Sequence, residues 1–198
     1  ITNNVGEMVE SLGFPDASTP ATLALFSVAQ AVSRVAAGVV SEATLKWTPT
    51  SCCIDRGVPR PFFLAVASSI AVVSYTMLAF STTQTSFIIA STVSGIAFGM
   101  TWPLMVLIVG DIFGVEHHGA NYMFFDGFTK AVGTIFLSEY VAGNVYEKHV
   151  EPDDPLSCYG IECFQMTHLV VAGLSLTGDA ASLVLQLISR HAYNKYSR

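Results

Sequence analysis

Five long apolar runs dominate this sequence of 198 residues. They lie near residues 20–43, 61–80, 86–110, 120–143 and 166–189. Each run is long enough to form a helix that crosses a bilayer, which needs about 20 residues. Only 12% of the residues are charged, whereas an ordinary soluble domain carries about 25%. The sequence therefore predicts a membrane protein that crosses the bilayer several times.

Helices and closed β-barrels both satisfy every backbone polar group inside lipid. The strands of a barrel alternate apolar and polar residues over about ten positions, but residues 62–80 are almost entirely apolar or small. The pattern favours an all-α membrane protein. Gly95 and Gly99 lie one helical turn apart, and this spacing of small residues predicts close helix packing.

Several functional classes do not fit the composition. The chain has 15 acidic and 9 basic residues, so it lacks the clustered positive charge that a nucleic-acid partner requires. The histidines fall at the ends of the apolar runs or between them, and no Gly-x-Ser-x-Gly sequence is present. A membrane enzyme would need a nucleophile and a base at membrane depth. We therefore expect neither an enzyme nor a bound cofactor.

The segment 111–118 combines carboxylates with imidazoles and could be taken for a metal site. One short loop cannot supply a closed set of metal ligands. A solvated turn is the simpler interpretation, and we predict no metal centre there.

Basic residues between the runs indicate the orientation of the chain, because positively charged loops stay on the cytoplasmic side. They concentrate in the segment 44–60 and in the tail 190–198, whereas the opposite side has only Lys148. The basic residues of the two segments are Lys46, Arg56, Arg60, Arg190, Lys195 and Arg198. This distribution predicts a cytoplasmic C-terminus.

The four cysteines form two pairs on opposite sides of the predicted membrane. Cys158 and Cys163 lie in the acidic outer loop, where oxidation is possible, and Cys52 and Cys53 lie in the basic inner loop. We predict a Cys158–Cys163 disulfide. A metal-binding pair is the rival interpretation, but two cysteines with no nearby histidine make a poor zinc site.

Some ionisable residues fall inside the runs, where each costs at least about 2.5–3.5 kcal/mol on a lipid-facing helix. Asp126 and Lys130 are four residues apart and share a helix face, and Asp179 lies at a similar depth. They could line a polar cavity that binds a solute or relays a proton. They could equally neutralise one another as a structural cluster.

Two further features mark possible moving parts. Arg34 shares a helix face with Gly38 and Glu42, which suggests a gate or latch. Trp102-Pro103 interrupts the third run, and a proline within a helix removes a backbone hydrogen bond and favours a kink. A kink that faces a cavity is plausible.

Several motifs, taken in order, resemble one family. They are Arg34-Val35-Ala36-Ala37-Gly38-Val39-Val40-Ser41-Glu42 with Arg60-Pro61, Gly99-Met100-Thr101-Trp102-Pro103-Leu104 with Asp111-Ile112-Phe113-Gly114, Val141-Ala142-Gly143-Asn144-Val145-Tyr146-Glu147, and Cys158-Tyr159-Gly160-Ile161-Glu162-Cys163-Phe164. With these motifs the chain resembles the C-terminal half of a major facilitator superfamily transporter, within its nodulin-like branch. The segment Phe125-Asp126-Gly127-Phe128-Thr129-Lys130 departs from that branch, where small or neutral residues are expected.

The resemblance implies a C-terminal six-helix bundle with five full spans and the end of a sixth. Residues 1–12 would end helix seven, residues 13–189 would hold helices eight to twelve, and residues 190–198 would form the cytoplasmic tail. The bundle would work by alternating access together with an N-terminal half that lies outside this sequence, in contact with membrane lipid.

The resemblance also implies roles for individual residues. Arg34, Trp102, Asp126 and Lys130 become candidates for binding or gating a solute. Gly38, Glu42 and Arg60 correspond to the conformational-latch motif of the superfamily, while Asp179, on helix twelve, becomes a structural partner.

Three functions remain open at this point. Lys130 could attract an organic anion in a secondary transporter, with Asp126 tuning that affinity or carrying a proton. A nodulin-like metal-ion transporter, for iron or another metal, would instead use Asp126, Asp111 and His117. A receptor on the same fold, without transport, is the third possibility.

Overall fold

The computed structural model describes residues 4–46, 58–114, 116–144 and 159–193, apart from a few side chains within them, including that of Lys130. Every regular element in these ranges is helical. In chain order they are α1 (Val5–Ser11), α2 (Ser18–Lys46), α3 (Arg60–Ala79), α4 (Gln84–Phe113), α5 (His118–Gly133), a π-helical segment (Thr134–Ala142) and α6 (Glu162–Tyr193).

Four of the described helices are long and apolar enough to cross a membrane. These spans are Ser18–Leu45, Arg60–Ala79, Gln84–Phe113 and Glu162–Ser189. Large apolar side chains on their outer faces are exposed, including Val28, Val35 and Ile188. Such exposure is expected where lipid rather than water surrounds a helix bundle. The all-α membrane fold predicted from the sequence is confirmed.

The fifth predicted span, 120–143, has a different form. It falls on α5, which has 16 residues and is therefore only about 24 Å long, less than the roughly 30 Å of a hydrocarbon core. The chain continues directly into the π-helical segment. The backbone hydrogen-bond pattern changes at Thr134, where this segment begins. The predicted span is thus divided between two helix types rather than forming one α-helix.

Local sequence explains where α3 and α4 begin and end. Pro61 lies in the first turn of α3, where its missing N–H is not needed. The Thr83 hydroxyl accepts a hydrogen bond from the Ser86 N–H at 3.3 Å and caps α4. Gly114 follows α4 with a φ of 80°, a conformation that glycine adopts without steric cost. Between these ends, α4 continues through Pro103 without a break.

Close backbone contact joins α2 to α4. A Cβ atom added to Gly95 would lie 2.7 Å from the carbonyl oxygen of Phe26, and one added to Gly99 would lie 2.9 Å from the Cα of Gln30. Only glycine fits at these two positions. The close packing predicted from their spacing is confirmed.

Two apolar clusters close the bundle at opposite ends. One joins α1 to the end of α3 and to the first turns of α4 and α6 through buried residues that include Val5, Leu78, Phe87 and Cys163. The other joins α2 to α4 through Ala37, Leu104 and Ile108. A cavity lies between α3, α4 and α5.

Candidate functional site: a membrane cavity and a charge cluster

The cavity has a volume of about 310 Å³, near the lower end of the range of small-molecule sites, which is about 300–1,000 Å³. α3, α4 and α5 all contribute to its walls. The lining residues are Ala71, Tyr75, Ser94, Ala97, Phe98, Thr101, Trp102, Met105, Tyr122, Asp126 and Thr129. Two candidates from the sequence, Trp102 and Asp126, are therefore brought together on this one surface.

Aromatic rings connect the walls of the cavity. Trp102 on α4 contacts Tyr122 on α5, with ring centroids 6.4 Å apart and ring planes at 61°. Phe98 contacts Trp102 at 6.1 Å and 72°. On α3, Tyr75 lines the cavity and its ring lies 6.2 Å from that of His168 on α6. These ring contacts join α4 to α5 and α3 to α6.

The serine and threonine hydroxyls of the cavity donate to their own helices. Ser94 donates to the Ser91 carbonyl at 2.7 Å, and Thr101 donates to the Ala97 carbonyl at 2.8 Å. On α5, Thr129 donates to the Phe125 carbonyl at 2.7 Å. A hydroxyl has one proton and two lone pairs, so these oxygens offer acceptors to a bound molecule.

A second polar site, the Arg60 cluster, consists of Glu42 on α2, Arg60 on α3 and Asp111 on α4. The Arg60 guanidinium donates to both carboxylate oxygens of Asp111 at 2.5 Å and to a carboxylate oxygen of Glu42. The Arg60 side chain is 7% exposed, against 14% for Asp111 and 44% for Glu42. One cation thereby ties together the ends of three membrane helices.

Comparison with known proteins identifies the family. The sequence profile of the Major Facilitator Superfamily matches residues 2–186. The chain belongs to the major facilitator superfamily. The superfamily is a family of membrane transporters, and the fold described above agrees with membership.

A curated relative is "Protein NUCLEAR FUSION DEFECTIVE 4" of Arabidopsis thaliana, which is 25% identical over 203 aligned residues. The match includes 98% of this chain but only 32% of the relative, so the chain spans about a third of that protein's length. The relative is a nodulin-like member of the superfamily, in agreement with the branch predicted from the motifs. No solved structure matches the chain significantly.

Within this superfamily fold, the structure describes the surroundings of two of the three predicted intramembrane charges, Asp126 and Asp179. Asp126 lines the cavity and is half-buried. Lys130 lies one turn further along α5, and its side chain is outside the described part of the structure. Asp179 on α6 accepts a hydrogen bond from the Ser69 hydroxyl of α3 at 3.1 Å. Asp179 therefore contacts a neighbouring helix, as expected of a structural partner.

Some of the predicted gating and latch residues contact one another, and others do not. Glu42 and Arg60 form an ion pair. Asp111, 51 residues after Arg60 in the chain, also binds Arg60. Gly38 lies on α2 one turn before Glu42, and nothing lies within 4 Å of an added Cβ. Arg34 is exposed on α2 and is not among the described residues that line the cavity.

The structure describes only one of the two cysteines of the predicted disulfide. Cys163 is disulfide-bonded and fully buried, in the first turn of α6. Cys158 lies outside the described residues, as do Cys52 and Cys53. The Cys158–Cys163 pairing stays a prediction.

The metal-ion alternative rested on Asp126, Asp111 and His117. Asp111 is engaged by Arg60, while Asp126 lines the cavity. In the part of the chain that the structure describes, no group of three or more histidine, cysteine, aspartate or glutamate residues is placed to hold a metal ion. The three residues of the alternative therefore do not form one site.

Sequence reasoning did not single out Tyr75, Thr101, Tyr122 or Thr129 as cavity residues. Part of the pattern was visible: Tyr122 precedes Asp126 by four residues and Thr129 follows it by three, spacings that place all three on one helix face. Tyr75 carried no such indication, because its part in the cavity depends on how α3 packs against α4.

Proposed function

We propose that this chain is the C-terminal half of a secondary active transporter that moves a small solute across a membrane by alternating access. Membership of the superfamily supports the mechanism class. The observation that carries the proposal is the cavity between α3, α4 and α5, where the Asp126 carboxylate lies beside aromatic rings. Ionisable groups at membrane depth are expensive and commonly mark a transport path.

In this proposal the Arg60 cluster is the conformational latch. Its bonds join α2, α3 and α4 at one end of the bundle, so any change in the relative positions of these helices there must break them. An N-terminal half would cover the open side of the cavity and complete the solute path. The distribution of basic residues supports a cytoplasmic C-terminus.

An efflux experiment on the full-length protein tests the proposal. Liposomes containing the purified protein would be loaded with a mixture of small metabolites, and mass spectrometry would identify those that leave. We expect protein-dependent efflux of at least one solute. Asp126→Asn, which removes the charge and keeps the shape, should slow it about ten-fold or more, because hydrogen bonds to charged groups contribute about 1.5–3 kcal/mol.

Asp179→Asn is the matched control, since Asp179 is also an intramembrane acid but contacts α3 through Ser69. We expect efflux by this variant to stay close to that of the unmodified protein. If both variants transported every solute at the original rate, the cavity would have no part in transport. If no solute left the liposomes, the receptor alternative would replace the proposal.

A further inference from the structure

Arg34 is an exposed cation in the interior of a membrane span. The span runs from Ser18 to Leu45, and Arg34 lies about 4 Å along the helix axis from its middle. With a hydrocarbon core about 30 Å thick, the nearer membrane interface is then about 11 Å away. An arginine near the end of a helix can extend to the interface, but Arg34 lies too deep for this. It therefore needs an anion or a water-filled path beside it.

No acid neutralises Arg34 within the part of the chain that the structure describes. The ion pairs of that part join Arg60 to Glu42 and Asp111, whereas Arg34 is exposed on α2. An arginine keeps its proton in proteins, so the charge cannot be removed by deprotonation. The guanidinium of Arg34 is thus a permanent cation whose five N–H donors are accessible to a ligand.

Arg34 lies at about the same depth as the cavity. The hydroxyl of the preceding residue, Ser33, would contact a Cβ atom added to Gly99, and Gly99 directly follows Phe98, which lines the cavity. One turn beyond Arg34 on α2, nothing lies within 4 Å of a Cβ added to Gly38. There is therefore room beside the guanidinium for a bound group, at the level where the cavity lies.

The chemistry of the guanidinium favours a carboxylate as that group. Its planar fork of N–H groups donates two parallel hydrogen bonds to a carboxylate, whose single charge one arginine neutralises. A phosphate monoester carries a charge of about −1.5 to −2 at pH 7 and would need a second cation. The other arginine in the described spans, Arg60, is already engaged by Glu42 and Asp111.

We propose that Arg34 binds the carboxylate of a small organic acid as this solute crosses the membrane. The inference rests on the proposed transport function and names its substrate class. It places the contact with an organic anion, which the sequence suggested at Lys130, on α2 instead. The anionic group is then held by a different helix from the one that carries the Asp126 carboxylate, and Arg34 extends the solute path beyond the cavity.

The efflux experiment on the full-length protein tests the inference when acids are compared with their amides. The metabolite mixture would include glycolate, lactate and gluconate, and each transported acid would be compared with its neutral primary amide. We expect the acid to leave about ten-fold or more faster than the amide. Arg34→Gln should abolish this preference by slowing the acid alone, and Arg34→Lys, which keeps the charge without the planar fork, should recover part of it.

Val35→Gln is the matched control, because it places the same side chain at the next exposed position of α2 and leaves the cation in place. The preference for the acid should survive in this variant. Thermal unfolding of each variant separates loss of transport from loss of fold, and the midpoint of Arg34→Gln should stay close to that of the unmodified protein.

Three outcomes would overturn the inference and leave the transporter: efflux confined to neutral or cationic solutes, a preference for the acid that survives Arg34→Gln, or equal slowing of acid and amide in that variant. The last result would show that Arg34 binds a carboxylate of the protein rather than of the solute. Absence of efflux for every solute would overturn both the inference and the proposed function.

Discussion

The Arg60 cluster and the cavity both place polar groups among membrane helices, but they connect them differently. In the cluster, side-chain bonds cross between helices, from Arg60 on α3 to Glu42 on α2 and Asp111 on α4. In the cavity, the hydroxyls of Thr101 and Thr129 bond within their own helices. The cluster therefore holds helices together, whereas these two cavity hydroxyls can face a solute without joining one helix to another.

The largest effect on stability should follow loss of the central cation. Arg60→Gln leaves Glu42 and Asp111 without the charge that joins them, and breaking a buried ion pair costs about 3–5 kcal/mol. We expect the thermal unfolding midpoint in detergent to fall strongly. Arg34→Gln is the matched control, because Arg34 is exposed on α2 and should cause no comparable fall. Equal unfolding midpoints for the two variants would show that Arg60 contributes no more to stability than an exposed arginine.

The two acids of the Arg60 cluster should differ. Asp111→Asn removes a carboxylate that is 14% exposed and accepts two hydrogen bonds, so we expect a loss of about 1.5–3 kcal/mol. Glu42→Gln affects a side chain that is 44% exposed, where an ion pair contributes about 1 kcal/mol or less. Denaturation of both variants under the same conditions compares them. A larger loss for Glu42→Gln would contradict this ranking.

Substitution at the close backbone contact between α2 and α4 should reduce stability nearly as much as substitution of Asp111. Gly99→Ala places a Cβ against Gln30 and Ser33, and overpacking of this kind costs about 1–3 kcal/mol. The control is Gly173→Ala on α6, where nothing lies within 4 Å of the added atom; there the midpoint should stay the same or rise. A neutral Gly99→Ala would show that the helices do not approach as closely as described.

The smallest effect on stability should come from the cavity. Thr101→Val removes a hydroxyl that bonds within its own helix, so we expect a change in the free energy of unfolding within about 0.5 kcal/mol. Because Thr101 also lines the cavity, efflux of the transported solute should become about three-fold to ten-fold slower. Thr92→Val is the control, because Thr92 makes the same kind of bond, to the Ile88 carbonyl, away from the cavity lining. Efflux that slows equally in both variants would show that the effect is not specific to the cavity.

Hydropathy was sufficient to predict most of the helices. The runs at 61–80 and 166–189 lie within a few residues of the spans Arg60–Ala79 and Glu162–Ser189. The division of the span 120–143 could not be predicted, because a change from α- to π-helical hydrogen bonding at Thr134 leaves the apolar pattern unaltered. Hydropathy depends on the side chains, whereas the change from α- to π-helix is a change in backbone hydrogen bonding.

The candidate site was predictable residue by residue, but its contacts between helices were not. Asp126 and Trp102 were found because an acid and a Trp-Pro pair are unusual within apolar runs. Asp111 was visible as an acid at the end of a run, but its partner Arg60 lies 51 residues away, and one sequence does not show which distant charges meet. Tyr75 was missed for the same reason, since helix packing brings it to the cavity.

The most direct test of the cavity as the solute site is protection of a cysteine placed in it. Thr129→Cys in the full-length protein, treated with a small membrane-impermeant maleimide, should be modified at that position, as identified by mass spectrometry. A solute found in the efflux experiment should slow this modification, because Thr129 lines the cavity that the solute would fill. Modification that proceeds at the same rate with and without a saturating transported solute would contradict the cavity as the transport site.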